Sequence, residues 1–115
     1  MKDELFLFLR ENPVMTIAVN GDKYPISSVI LFYIDDSLNI YFATGRESFK
    51  AKALLTDPHI SFNTWKMGEA LVQGMGQAVE INNQEEADVL MDKLAKHVAK
   101  LENFWPPLLH KFRNI

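Results

Sequence analysis

Between residues 2 and 34 the spacing of apolar positions changes twice, and each change marks an element. Lys2 to Glu11 is a dense apolar run, Leu5-Phe6-Leu7-Phe8-Leu9, with charged ends. It stops at Asn12-Pro13, because proline disfavours helical backbone in the residue before it, so a short helix lying as a lid on the core is expected. Val14 to Val19 reads as a strand, and Asn20-Gly21 predicts a type I′ hairpin, since both residues tolerate positive φ. The returning strand, Ile26 to Ile34, has Ile26, Ser28, Ile30, Phe32 and Ile34 on one face and Ser27, Val29, Leu31 and Tyr33 on the other. Both faces are largely apolar. One is expected against the core and the other against a cofactor or a second subunit.

Asp35-Asp36-Ser37 turns the chain into a third strand, Asn39 to Thr44, and the helix after it ends at Asp57-Pro58. His59 to Trp65 and Ala70 to Ile81 form a second hairpin. Its Gly74 and Gly76 share one face and predict a bulge, a barrel corner or a close approach by another backbone or a ligand, with barrel curvature preferred. Asn83 and Glu86 make a capping box for a last helix, whose Ala87, Leu90, Met91, Leu94, Val98 and Leu101 recur at helical spacing as a core stripe. Phe104-Trp105-Pro106-Pro107 follows, where Trp105 and the two prolines suit either an anchor of the tail across a dimer or a simple hydrophobic clamp. The succession predicts an α+β, mainly β fold: an antiparallel meander curled into a barrel, with N-terminal, middle and C-terminal helices.

Composition sharpens this outline. The 115 residues, 48% hydrophobic, suffice for one core and hence a single domain, 1–115. A net charge of -3 argues against a nucleic-acid surface. Without cysteine there are no disulfides, thiolate nucleophiles or zinc knuckles, which fits a reducing, cytoplasmic setting. The apolar runs are too short to span a bilayer, and Lys2-Asp3-Glu4 is unlike a signal peptide, so no membrane partner is expected. His59, His97 and His110 lie in no ligand spacing, so no metal site is expected, and no nucleophile or acid–base pair stands out as catalytic.

Candidate chemistry concentrates at Tyr41 to Lys52, where a strand passes through a short loop into a helix start. A helix N-terminus carries unpaired N–H groups and positive potential, and Thr44, Arg46, Ser48 and Lys50 add hydroxyls and cations. Such a junction suits a phosphate. The plainer alternatives are a simple N-cap for Ser48, a solvated helix face for Lys50 and Lys52, and a loop surface charge for Arg46.

Tyr41-Phe42-Ala43-Thr44, Ser48-Phe49-Lys50-Ala51, Asp57-Pro58-His59-Ile60-Ser61 and Gln73-Gly74-Met75-Gly76-Gln77-Ala78, taken in order, resemble the pyridoxamine 5′-phosphate oxidase-like, FMN-binding split β-barrel family over roughly residues 3 to 100. The resemblance implies a homodimer with FMN at the subunit interface. Thr44, Ser48 and Lys50 would meet the FMN phosphate, with Arg46 assisting from the loop, and Ser28, Val29 and Ile30 would line the flavin ring. It implies a flavin-dependent oxidoreductase in which hydride moves through the flavin to or from a small-molecule substrate. The alternatives are a non-enzymatic flavin carrier or electron-transfer protein, and a haem-binding relative, which the scattered histidines disfavour. Two departures argue against oxidation of pyridoxamine phosphate itself: Phe49 stands where the family has an arginine, and Leu71 where the oxidases have a glutamine. Family domains also continue into a closing strand, which is expected to be missing here, since the chain ends at Lys111-Phe112-Arg113-Asn114-Ile115 where that strand would begin.

Overall fold

The alternation in Val14–Asn20 organises the architecture. The computed structural model describes residues 2–100. Its elements are α1 (Lys2–Glu11), β1 (Val14–Asn20), β2 (Pro25–Ile34), β3 (Ile40–Phe42), α2 (Phe49–Thr56), β4 (His59–Lys66), β5 (Ala70–Gln77) and α3 (Gln84–Lys100). This is the expected succession. The strands form one antiparallel sheet, ordered β3-β2-β1-β4-β5 and curled into a half-barrel consistent with a split barrel.

β1 lies at the centre, paired with β2 from Val14↔Leu31 to Asn20↔Pro25 and with β4 from Thr16↔Asn63 to Val19↔Ile60. Its side chains alternate between faces, so Met15, Ile17 and Val19 are buried while Val14, Thr16 and Ala18 are half-buried on the other side. The core is Leu9 of α1 with Met15, Ile17, Val19, Ile30, Phe32 and Ile34, flanked by residues that include Leu5, Phe8, Ala53, Leu54 and Phe62. Burial of each large apolar side chain contributes roughly 1.5–3 kcal/mol. Thr64, the buried polar residue, donates to the Val14 carbonyl at 2.8 Å and so carries no desolvation penalty. Arg10 fastens α1 to β2: its guanidinium lies 4.9 Å from the centroids of both Phe6 and Tyr33 and donates to the Ile34 carbonyl at 2.8 Å.

Several expectations are corrected. Asn20-Gly21 is not a type I′ turn: Asn20 stays in β1 opposite Pro25, and the connection spans residues 21–24. Positive φ among the described residues belongs to Leu38 and Gly68. Glycine at position 21 answers a close approach, because a Cβ there would stand 2.2 Å from the Tyr24 carbonyl oxygen. The third strand keeps three of its expected residues and β5 stops at Gln77, well before Ile81. Gly74 marks no bulge, since β4–β5 pairing is unbroken from His59↔Gln77 to Lys66↔Ala70. It makes room for the Phe62 ring directly opposite, which a Cβ would approach to 2.4 Å, whereas Gly76 has open space.

α3 differs most. Asn83 caps it as expected, accepting from the Glu86 N–H at 2.9 Å, but none of its described residues is buried. Ala87, Leu90, Leu94 and Val98 are half-buried and Met91 is 51% exposed, so the stripe does not enter the core. α1 and α2 already occupy that space, leaving α3 against β2, where His97 meets Tyr33 edge-on and its Nε2 donates to the Arg10 carbonyl at 2.5 Å. Leu101, the Phe104–Pro107 clamp and the chain end where a closing strand would begin lie outside the described residues. Among the described residues no helix is long and apolar enough to cross a membrane.

The two glycines of β5 give a matched test. Gly74→Ala should destabilise the fold by about 1–3 kcal/mol through overpacking against Phe62, while Gly76→Ala stays within about 0.5 kcal/mol. Urea unfolding of both variants measures the difference, and equal losses would show that the Phe62 contact is not what position 74 requires.

Candidate functional site

The junction between β3 and α2 is set by what happens to β3 at both ends. At its start, Asp35 accepts hydrogen bonds from the Ser37 and Asn39 N–H groups, the Asn39 side chain and the Tyr41 hydroxyl. Partial burial raises the Asp35 pKa, but these donors outweigh it and hold the carboxyl below its usual range; burial and then Asp35 push the Tyr41 phenol up. At its other end β3 leaves β2 after Phe42, and residues 45–48 turn on a Ser48 N–H bond to the Gly45 carbonyl at 3.1 Å.

Ser48 then caps α2 from an extended backbone, φ -69° and ψ 153°. Its Oγ donates to the Gly45 carbonyl at 2.8 Å and accepts from the Ala51 N–H at 3.2 Å. With its single proton so used, Ser48 accepts from Thr44, whose Oγ1 lies 3.0 Å away. The cap reading of Ser48 therefore holds, and Thr44 is brought into direct contact with it. Ala51 and Lys52 N–H groups are bonded to Ser48, which leaves the Phe49 and Lys50 N–H groups without partners among the described residues. Lys52 is bound to Glu47 at 3.4 Å, as a solvated pair. Arg46 is exposed and Lys50 half-buried, and among the described residues neither forms an ion pair. Two unpaired N–H groups, two hydroxyls and two unspent cations fit a dianionic phosphate. Phe49 is 82% exposed.

Ser28, Val29 and Ile30 do not act alike. β3 pairs β2 only from Phe32 onward, so the outer edge of β2 before Phe32 has no strand beside it among the described residues. The Phe32 N–H bonds to the Pro13 carbonyl at 2.9 Å. By the two-residue period, Ser28 and Ile30 also turn their backbone groups to β1, and Val29 turns its N–H and C=O to the open edge. Ile30 is buried in the core. No hydrogen bond joins these three residues to the loop. Yet continuing the β2–β3 register would set Thr44 level with Ile30, so the loop departs beside the open edge.

Sequence reading missed two arrangements. At the far end of α2, Asp57 accepts from Asn20 Nδ2 at 2.9 Å and from the His59 N–H at 3.1 Å, and lies 2.6 Å from His59 Nδ1. On the sheet face away from the core, the register aligns Val29, Thr16, Asn63 and Gln73 in one row and Ser27, Ala18, Ser61 and Met75 in the next. An open cleft of about 360 Å³ lies there. Period-two polar positions in β1, β4 and β5 signalled the face, but pairing between distant strands was needed to assemble it.

The family model described as Pyridoxamine 5'-phosphate oxidase matches residues 1–112. The chain belongs to this family. Solved structures carry the same fold. A Listeria innocua protein named for the same oxidase has a TM-score of 0.72 at 18% identity, over 83% of this chain and 77% of its own. A NimC/NimA family protein from Clostridium acetobutylicum has a TM-score of 0.68 at 14% identity, over 90% and 70%. An FAD-binding protein from Mesorhizobium loti has a TM-score of 0.62 at 18% identity, over 89% and 75%. At these identities the likeness is one of fold. No curated protein matches the chain.

The Asp57 cluster yields a pH prediction. The His59 N–H, the His59 side chain and then Asn20 lower the Asp57 pKa to about 2. Its unfolded value is about 3.9, so the stabilisation is present above that pH and is lost as pH falls towards the folded value. The thermal midpoint should therefore fall more steeply over this acid range in the parent protein than in Asp57→Asn; parallel slopes would remove Asp57 from the acid response.

Proposed function

We propose that this member of the pyridoxamine 5'-phosphate oxidase family is an FMN-binding, flavin-dependent oxidoreductase acting on a small molecule, as a cytoplasmic homodimer with the cofactor at the subunit interface. The observation that carries the reading is the donor set at the start of α2, in which the Phe49 and Lys50 N–H groups remain unpaired beside the Thr44 and Ser48 hydroxyls and the Arg46 and Lys50 cations. These groups would hold the phosphate, the Thr44 hydroxyl turning from Ser48 and the Ser48 hydroxyl from the Gly45 carbonyl towards its oxygens. When bound, the flavin supplies hydride chemistry at N5. Val29 would offer its free backbone edge to the ring, and Ser28 and Ile30 would keep that edge straight through their bonds to β1.

Exposed apolar residues support the dimer. Trp65 and Leu71 are cross-strand partners on the sheet face away from the core, at 60% and 63% exposure, and a second copy would cover them. The lack of cysteine is compatible with a reducing cytoplasm. Phe49 and Leu71 remain departures: a phenyl ring supplies no guanidinium fork, and leucine no amide, so pyridoxamine phosphate is not the substrate favoured.

Fluorescence titration with FMN tests the site. Lys50→Glu should weaken FMN by at least roughly tenfold, about 1.4 kcal/mol, without lowering the thermal midpoint, and Phe49→Arg should strengthen it. Unchanged affinity in Lys50→Glu would return residues 44–52 to an ordinary capped helix. Bleaching of bound flavin by NAD(P)H with multiple turnovers would separate an enzyme from a carrier.

A further inference from the structure

The cleft on the outer sheet face has a chemistry unlike that of the α2 junction. It is lined by Thr16, Ala18, Ser61, Asn63, Gln73 and Met75 with parts of the strands between them, and no ionisable side chain is among its walls. Asn63 and Gln73 are cross-strand partners, and Thr16 faces Asn63 from the other side. Asn63 thus has Thr16 on one side and Gln73 on the other, each with its Cβ within about 5 Å of the Asn63 Cβ. Thr16, Ser61 and Asn63 are half-buried. None of these three, nor Gln73, has a side-chain hydrogen bond within the described chain.

Two adjacent carboxamides carry matched donors and acceptors, and a half-buried amide without a partner favours any ligand that pairs with it. A charged ligand would give up hydration here with no counter-ion to replace it. An uncharged molecule with an N–H beside a C=O can pair with both amides, while Ala18 and Met75 contact its apolar body. We infer that this cleft binds an uncharged molecule through a carboxamide or imide edge, read by Asn63 and Gln73 and supported by Thr16 and Ser61. The inference stands apart from the phosphate junction. The edge belongs to a small molecule other than the flavin, and the two are separable.

The test is saturation-transfer NMR on the full chain, freed of any flavin, with nicotinamide as probe and nicotinate as its charged counterpart. Nicotinamide should bind with a roughly tenfold preference over nicotinate. Asn63→Asp and Gln73→Leu should each weaken it roughly fivefold or more while keeping the parent thermal midpoint. Should Asn63→Asp fail to fold, the exposed Gln73 carries the same test. Binding of nicotinamide together with FMN supports the inference, and displacement of nicotinamide by FMN overturns it. Equal binding of nicotinate, no binding of nicotinamide, or undiminished binding in a folded Gln73→Leu variant overturns the inference. Failure to bind FMN with nicotinamide still bound overturns the flavin reading alone.

Discussion

Hydrogen bonding of β1 on both edges is the constraint on which the rest of the molecule depends. Seven positions pair with β2 and four of the same residues pair with β4. Because side chains alternate strictly, a slip of one residue would expel Met15, Ile17 and Val19 from the core and bring Thr16 and Ala18 into it. The same slip would separate Thr16 from Asn63 and dissolve the polar row on the outer face. Core and cleft are thus two readings of one register, and neither can be altered without the other.

The second constraint is a mismatch of length. β2 has ten residues and β3 only three, so among the described residues most of one β2 edge is left without a strand. β3 begins late because Asp35 gathers a set of local donors and Leu38 adopts φ 65°, a compact turn that delays pairing until Ile40. It ends early because the chain must leave the sheet to cap α2 at Ser48. The backbone phase fixed by Phe32 and Pro13 then decides that Val29 presents its N–H and C=O outward. An unpaired edge and an unpaired helix start therefore border the same departing loop, a pairing of features that no single element would produce.

Much of this was legible in the sequence, and the failures share a cause. Pro13, Pro58, Ser48 and Asn83 act through their own backbone or the next turn, so helix ends were read correctly from neighbours in the chain. The contact of Thr44 with Ser48 is just as local, but the sequence pointed both residues at a phosphate and not at each other. Gly21 and Gly74 were recognised as special, but the reason was not, because what each avoids is a Tyr24 oxygen and a Phe62 ring brought there by tertiary structure. Helical spacing in α3 revealed an apolar stripe and not what would cover it; α1 and α2 fill the core first. The strand phase that separates Val29 from Ser28 and Ile30, and the meeting of Asn63 with Gln73, depend on pairings that periodicity in one strand does not contain.

Electrostatics divides the two sites by task. At the α2 start the local charges are not all available: Glu47 engages Lys52, so Arg46 and Lys50 are the cations left to face a phosphate. Phe49 adds none, and its exposed ring leaves the N–H groups and hydroxyls to supply direction while two flexible chains supply charge. The outer cleft has no ionisable wall at all, so there selection must come from hydrogen-bond pattern and shape. A ligand with a charged end and a neutral, amide-bearing ring would find complementary surfaces in one chain, and a charged substrate would be drawn to the first and refused by the second. Phe49, where the resemblance implies an arginine, would weaken long-range attraction of a phosphate at the junction without touching the cleft, and would shift the weight of recognition towards the neutral face.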